Sequence, residues 1–293
     1  MDIEKCAALL RVLETGSLSA AAEELGYTPS GVSRMMAALE AETGFPLLVR
    51  SRGGVEPTEE CKALLPTVRE LARLGRHYAE QAAALRGVEI GTVRVGSVYA
   101  VYYDWLAETI AGFCAAHPGI EVEFLHGSSA ELCASIENHE ADFAIVSRRE
   151  GGFDFRPLLQ DPLLAWVPEN HPRVHDGVYP LRDFLADPYI STYAGQDTDN
   201  ARAFAQNHLE PQARYSSANV RSTYAMVAAG LGVSLNNAVL SYGLSLDHIA
   251  VLPTEPAYYV EIGVAAPAAG ERSPAAEAFY RYAMAHLPES PAN

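Results

Sequence analysis

Residues 16–50 read GSLSAAAEELGYTPSGVSRMMAALEAETGFPLLVR, and this stretch decides the fold of the N-terminal part of the chain. Ser17 or Ser19 can cap a first short helix. Thr28 and Pro29 indicate the start of a second helix, because the threonine hydroxyl can bind a free N–H of the first turn and proline has no N–H to leave unpaired there. Two short helices joined by a tight turn predict a helix-turn-helix.

The second helix has an apolar face and a small, polar face. The apolar residues recur at three- and four-residue spacing and predict the buried side: Val32, Met35, Met36 and Leu39. Small side chains on the other side would let the helix approach base edges in a major groove. With the helix caps and the basic residues further on, the predicted DNA contacts are Ser17, Thr28, Pro29, Ser30, Gly31, Ser33, Arg34, Arg50 and Arg52.

An apolar strand and a basic turn follow the second helix. Phe45 to Val49 are mostly apolar, and they lead into Arg50, Ser51, Arg52 and two glycines. This pattern is typical of the wing in a winged helix-turn-helix. An ordinary helical hairpin is the alternative for the two helices taken alone, and the wing favours DNA binding.

This order of motifs resembles the LysR-type transcriptional regulators. The matching positions are Gly16, Ser17, Ser19 to Ala22, Leu25, Ser30, Val32, Ser33, Leu39, Glu40, Gly44, Pro46, Leu47, Arg50 and Thr58. The sequence departs from the family pattern at Leu18, where an aromatic residue is usual, and at Pro29 and Met35, where glutamines are often found. It also departs at Glu59 to Cys61, where alanine and glycine usually follow the threonine. The resemblance implies an α+β multidomain protein with a winged helix-turn-helix at 1–58, a linker and dimerisation helix at 59–87, and an effector-binding domain at 88–293.

The linker segment carries a helical apolar repeat. Thr58 can cap the helix, and apolar or small residues follow at alternating spacings of four and three: Leu64, Val68, Leu71, Gly75, Tyr78, Ala82 and Leu85. Such a seam predicts a partner helix, in a homodimer or a homotetramer. Packing of the seam on its own chain is the alternative.

Composition and charge bear on the compartment and the partners. The 293 residues are 49% hydrophobic and carry a formal charge of −16, but phosphate contacts depend on where individual arginines project. The sequence has no apolar run of about eighteen residues and no charged-then-apolar leader, so we expect a soluble cytoplasmic protein with no membrane partner. The cysteines lack metal or disulfide spacing, so we expect buried thiols and no metal, with a redox role of Cys114 and Cys133 as the alternative.

From Glu89 onwards, short apolar strands alternate with helices, which predicts an α/β domain. The resemblance implies a fold like the periplasmic binding proteins, with two α/β lobes joined by two crossing strands. Lobe I is expected at about 88–161 and 265–293, and lobe II at about 162–264. The expected crossings lie near Leu159 to Pro162 and near Gly263 to Pro267.

Polar residues follow several of the predicted strands. In open α/β sheets, ligands lie at the carboxyl ends of strands, where helix N-termini offer free N–H groups. Each serine alone could be only a helix cap, and their convergence at one end of the sheet indicates a site. The predicted effector contacts are Ser97, Val98, Tyr99, Ser128, Ser129, Ser147, Arg148, Thr192, Tyr193 and Asn236. Hydroxyls and N–H groups favour an organic acid or another polar metabolite as the effector. Tyr99, Tyr102 and Tyr103 could add an aromatic wall that would suit an aromatic metabolite.

The motifs of hydrolases, P-loop nucleotide-binding proteins and zinc proteases are absent from the sequence, so we expect no catalytic residues and no cofactor. The sequence therefore predicts a DNA-binding transcriptional regulator whose C-terminal domain binds a small-molecule effector. Its expected partners are double-stranded DNA, the effector, a second copy of the chain and RNA polymerase. Activation and repression remain alternatives. An intracellular solute-binding module with no DNA activity is the alternative function, and an enzyme with an α/β cleft is a third.

Overall fold

The computed structural model describes residues 2–51, 54–87 and 89–288. The chain divides into two compact units, an N-terminal unit that extends to Gly91 and a C-terminal unit that begins at Thr92. In the part of the chain that is described, no helix is both long and apolar enough to cross a membrane.

The N-terminal unit contains the predicted helices, wing and linker. Its elements are α1 (Ile3–Thr15), α2 (Leu18–Glu24), α3 (Pro29–Thr43), β1 (Leu48–Ser51), β2 (Gly54–Pro57) and α4 (Glu59–Ala84). Ser17 is the cap of α2 and accepts a hydrogen bond from the N–H of Ala20, so the first of the two predicted caps is confirmed. Thr28 Oγ1 accepts from the N–H of Gly31 at 3.1 Å, and Pro29 is the first residue of α3, as predicted.

A small apolar core holds the helices and the wing together. Val32, Met36 and Leu39 of α3 are buried in a cluster with residues of α1, α2 and α4. The wing is fixed at two points. Glu40 Oε1 accepts the backbone N–H of Leu47 at 2.8 Å, which ties the start of β1 to α3, and the carbonyl of Gly16 accepts the N–H of Val55 in β2 at 2.8 Å. These contacts set the position of α3 and the wing within one unit.

The α4 seam is only partly available to a partner. Its first half packs on the unit's own core, where Val68 is buried and Leu64 and Leu71 are partly buried. Gly75 is also covered, since a Cβ built there would lie 2.2 Å from Cγ2 of Ile3. The prediction that the whole seam faces a partner is therefore wrong for this half, because periodicity shows that a helix face is apolar but not what covers it.

The second half of α4 leaves apolar side chains in water. Leu74 is 48% exposed, Tyr78 is 73% exposed, and Leu85, the residue that follows the helix, is 90% exposed. Leu74 does not belong to the predicted seam, so the exposed face is rotated relative to it.

The C-terminal unit alternates strands and helices as predicted. Its elements are β3 (Gly91–Ser97), α5 (Tyr103–Ala116), β4 (Ile120–Leu125), α6 (Ser129–Glu137), β5 (Phe143–Ser147), β6 (Asp154–Pro168), α7 (Arg173–Asp176), β7 (Tyr179–Pro180), β8 (Tyr189–Thr192), α8 (Asp199–Gln206), β9 (Ala213–Ser217), α9 (Val220–Ala228), β10 (Ser234–Asn237), β11 (Ile249–Glu255), β12 (Tyr259–Ala266) and α10 (Pro274–Ala285). Short 3₁₀ turns cover Ala100–Tyr102, Leu181–Leu185 and Ala238–Ser241. Sequence reasoning missed β11 and the short β7.

One long strand, β6, joins two lobes. The sheet order is β4-β3-β5-β12-β6-β11-β7, and β10 also pairs with β6. Residues 154–162 of β6 pair with β12, and residues 163–168 pair with β10 and β11. We call the part around β3, β4, β5 and β12 the first lobe, and the part around β7 to β11 the second lobe. The first crossing thus lies close to the predicted one.

The second crossing lies earlier than predicted. Gly263 to Ala265 pair with β5, inside the first lobe. The prediction of a crossing near Gly263 to Pro267 is therefore wrong, and the chain changes lobes between Glu255 and Tyr259. The physical reason is that Ile262 and Val264 to Ala266 are buried apolar residues that complete the core of the first lobe.

Candidate functional site

The N-terminal unit presents the start of α3 to solvent. Thr28, Pro29, Ser30 and Arg34 are exposed, and Gly31 and Ser33 are half-buried beside them. Arg34 Nε donates to the carbonyl of Ser30 at 3.3 Å, and no carboxylate of the described residues pairs with this guanidinium. The charge is therefore free to meet a phosphate or a base.

The other predicted DNA contacts are less well defined. The half-buried Ser17 uses its hydroxyl to cap α2. Arg50 lies in β1, where its backbone pairs with Val55, and Arg52 lies outside the described residues. The roles of all three toward DNA stay predictions.

A cavity of about 530 Å³ lies between the two lobes of the C-terminal unit. Its lining includes residues that end or follow β3, β4 and β8, and it contains most of the predicted effector contacts: Ser97, Val98, Tyr99, Ser128, Ser129, Thr192, Tyr193 and Asn236. Asn236 lies within β10, not after the strand as predicted. The carboxyl ends of strands from both lobes thus meet at one cavity.

Several of these hydroxyls already have partners in the protein. The Ser97 hydroxyl donates to the carbonyl of Tyr99 at 3.1 Å, and Ser128 Oγ accepts the N–H of Glu131 at the start of α6. Thr192 Oγ1 lies 2.7 Å from Thr223 Oγ1. These three therefore also have structural roles, in line with the alternative that a serine here is a cap.

Two predicted contacts do not line the cavity. Ser147 is fully buried, with its Oγ 3.0 Å from Ser129 Oγ. Arg148 points away, pairs with Glu261 at 2.5 Å and is largely exposed. Arg149 lines the cavity instead. The two-residue alternation of a strand could have shown this, because Arg149 follows the inward Ser147 at that spacing.

A carboxylate that sequence reasoning missed lies at the polar end of the cavity. Asp199 Oδ1 accepts hydrogen bonds from the Ser147 hydroxyl at 2.8 Å and from Arg149 Nη1 at 2.9 Å. Its Oδ2 lies 3.2 Å from Asn237 Nδ2 and 3.4 Å from the Tyr99 hydroxyl. An aspartate in the first turn of a helix looks like an ordinary favourable charge in the sequence, so no local signal pointed to it.

The lining of the cavity also includes a cation and aromatic rings. Arg221, in the first turn of α9, lines the cavity, and no other described residue pairs with its guanidinium. Tyr103, Tyr193 and Tyr242 also line it, and burial raises the pKa of Tyr103 and of Tyr193. Tyr102, which we expected in the aromatic wall, is buried and does not line the cavity. These side chains offer a positive charge and aromatic rings to a ligand.

Known proteins share both units. Residues 3–62 match the model of the bacterial regulatory helix-turn-helix protein, lysR family, and residues 86–288 match the LysR substrate binding domain. The chain belongs to the LysR family of transcriptional regulators. The N-terminal unit is thus the DNA-binding part of a LysR-type regulator and the C-terminal unit its effector-binding domain. The alternative of a solute-binding module with no DNA activity is thereby excluded.

Individual LysR-type relatives cover nearly the full length. The HTH-type transcriptional regulator YvbU of Bacillus subtilis is 24% identical over 285 residues, which are 97% of this chain and 98% of the relative. A full-length OxyR variant from Pseudomonas aeruginosa has a TM-score of 0.72 at 19% identity, over 97% of this chain and 94% of that one. Full-length CbnR complexed with target DNA has a TM-score of 0.58 at 20% identity, over 98% and 100%. These structures show the same fold.

The expectation of buried thiols is confirmed for three of the four cysteines. Cys6, Cys61 and Cys133 are buried, whereas Cys114 is half-buried. Burial raises the pKa of Cys133 to about 11, which leaves little of the reactive thiolate at neutral pH.

A second buried carboxylate lies on β6 where the strand passes between the lobes. Asp161 is 2% exposed, and its Oδ1 accepts the N–H of Val239 at 3.1 Å. Its Oδ2 has no hydrogen-bond partner among the described residues. Burial, with a contribution from the charge of Asp199, raises the pKa of Asp161 to about 6.

The Asp161→Asn variant should show the cost of this charge. The folded protein holds the Asp161 proton more tightly than the unfolded chain, so this group lowers stability as the pH rises from about 4 to above 6, and an amide does not titrate. Between pH 5 and pH 8, the free energy of unfolding of the variant should therefore rise by roughly 1 kcal/mol relative to that of the wild type. Both tryptophans lie in the C-terminal unit, so urea titrations followed by tryptophan fluorescence measure this. The exposed Asp104→Asn is the control, and a pH-independent difference for Asp161→Asn would contradict the prediction.

Proposed function

We propose that the chain regulates transcription in the cytoplasm by binding an organic acid in the cavity between its lobes. The observation that carries this is the composition of the cavity, which combines tyrosine rings, hydroxyls and the unpaired guanidinium of Arg221. A ligand held by both lobes can shift their relative orientation by its differential affinity for the two arrangements. RNA polymerase is the proposed recipient of that signal, and no catalytic step is proposed.

We further propose that α3 reads the operator. The exposed start of α3 has no large side chain other than Arg34, which supports close approach to a major groove. Arg34 would bind a guanine or a phosphate, and Ser30 and Ser33 would make shorter contacts. Arg50 and Arg52 would contact phosphates from the wing.

We also propose a homodimer through the second half of α4. An apolar surface is exposed there, formed by Leu74, Tyr78 and Leu85. Removing this surface from water against a partner would be favourable. The same surface on a second copy is the natural partner, because family members that read two half-sites need two copies of α3.

A thermal-shift screen of aliphatic and aromatic carboxylic acids on the full chain tests the effector class. An acid that binds should raise the melting temperature reported by tryptophan fluorescence. If no acid does so while neutral or cationic metabolites do, the proposed class is wrong.

Arg221→Ala then tests the orientation of the ligand. A lost charge-assisted hydrogen bond should weaken binding of the acid by about 1.5–3 kcal/mol, or more than tenfold, while operator affinity without the acid stays at the wild-type value. Calorimetry measures the first quantity and a gel shift the second. Arg182→Ala removes an exposed arginine of the same lobe that does not line the cavity, and it should leave both unchanged. Equal acid affinity in the two variants would show that the ligand does not contact Arg221.

A further inference from the structure

The polar end of the cavity has the features of an anion-binding site, and a side chain of the protein already fills it. The donors to Asp199 are a guanidinium, two hydroxyls and an amide, the kinds of groups that bind a carboxylate in proteins. Three of the four come from the first lobe, whereas Asp199 belongs to the second. The carboxylate therefore reaches across the cleft to the position that a free acid would take.

The site around Asp199 is buried, and the Asp199 carboxylate accepts from four side-chain donors. Asp199 is 9% exposed and Arg149 is 8% exposed. Ser129 Oγ completes the arrangement below them, since it lies 3.0 Å from Ser147 Oγ and accepts the N–H of Ser147 at the same distance. The donors that bind Asp199 thus have their acceptor within the protein, and a ligand carboxylate would have to displace Asp199 to reach them. Arg149 Nε is the exception at this end, because it has no hydrogen-bond partner among the described residues and lies 3.4 Å from Asp197 Oδ2.

We propose that Asp199 is a specificity-determining residue, a built-in anion that closes the polar end of the cleft to carboxylates and directs an acidic ligand toward Arg221. This rests on the proposed function in one respect, that the cavity is the effector site. The occupied anion position itself needs neither effector nor DNA to be tested.

Removal of the Asp199 carboxylate should leave a vacant site of known chemistry. Asp199→Ala takes away a carboxylate group, whose charge and shape are those of formate. Arg149 would then keep only Asp197 as an ion-pair partner, at 3.4 Å, and a buried charge that loses its partner is strongly destabilising. A small carboxylate from solution should restore the missing contacts. An aspartate that only fills space would create no such affinity.

The test compares melting of the full chain, followed by tryptophan fluorescence at pH 7.5, in sodium formate and in sodium chloride of equal concentration. Asp199→Ala should melt below the wild type in chloride and should gain roughly 3 °C or more in about 100 mM formate, with a saturable dose response. The wild type should show no such gain. Asp197→Ala removes the neighbouring, more exposed carboxylate of the same arginine, and it should also show none.

Asp199→Asn separates a vacant anion site from general destabilisation. The amide keeps the size of the side chain and loses its charge, so this variant should melt below the wild type and gain nothing from formate. If Asp199→Ala is unfolded in chloride, recovery of its folded tryptophan signal in formate supports the proposal, and an unfolded signal in both salts contradicts it. Equal responses to formate in Asp199→Ala and the wild type, or in Asp199→Ala and Asp199→Asn, also overturn it. None of these outcomes depends on the effector screen, so the proposed function can fail while this proposal holds.

Discussion

The chain with Tyr78→Glu should be monomeric and should bind a two-half-site operator on the order of 10²-fold more weakly than the wild type. Tyr78 is the larger of two exposed apolar residues one turn apart on α4, and Leu74 is the other. A glutamate there would place a buried, unpaired charge in the proposed dimer interface. A monomer loses the gain in effective concentration that comes from joining two DNA-reading units.

Light scattering gives the mass of this variant, and a gel shift gives its affinity. Ala79→Glu is the matched control, because it adds the same charge at an exposed position of the same helix, about 100° or more around the helix axis from Leu74, Tyr78 and Leu85, and it should leave both values unchanged. A dimeric mass with full operator affinity in Tyr78→Glu would contradict the proposed interface. Leu71→Glu would be a poor test, because Leu71 packs on the core of the N-terminal unit and its replacement would unfold that unit.

Arg34→Ala should weaken operator binding by about 1–3 kcal/mol, which is roughly 5- to 150-fold. The guanidinium lies on the exposed side of α3 and has no carboxylate to satisfy it among the described residues, so DNA would be its only charged partner. The two kinds of contact give different results. Loss of a guanine contact relaxes the preference at one base pair, whereas loss of a phosphate contact weakens all sequences alike and reduces the salt dependence by about one counterion.

Fluorescence anisotropy with operator variants at several salt concentrations distinguishes these cases. Arg11→Ala is the control, since Arg11 is a half-buried arginine of the same unit that already pairs with Glu14 and Glu24. Wild-type affinity and an unchanged footprint in Arg34→Ala would remove this residue from the interface.

Local chemistry explains why the N-terminal unit could be predicted in detail. Ser17, Thr28 and Thr58 each cap a helix as expected, because a hydroxyl three residues before a free N–H is a contact within one turn. The alternation of strands and helices beyond Glu89 could also be predicted, because each element depends on residues that are close together in the sequence. The LysR resemblance then supplied the arrangement of the two lobes.

Contacts between distant residues explain what could not be predicted. The burial of Leu71 depends on α1, and sequence periodicity does not show which of two apolar faces a neighbour will cover. Asp199 meets Ser147 and Arg149 across about fifty residues of sequence, so only the folded chain reveals the pair. The prediction of Arg148 as an effector contact, where Arg149 lines the cavity, was an avoidable error. The strand alternation that would have corrected it was present in the sequence.

The central claim is that one chain couples DNA reading to an acid in the cleft, and a single titration tests it most directly. Anisotropy of a labelled duplex from the chain's own upstream DNA would be measured against protein concentration, with and without an acid that raises the melting temperature. We expect binding that weakens steeply with salt, exceeds binding to random DNA, and changes in affinity or footprint when the acid is added. Equal binding to upstream and random duplexes, unaffected by the acid, would contradict the account.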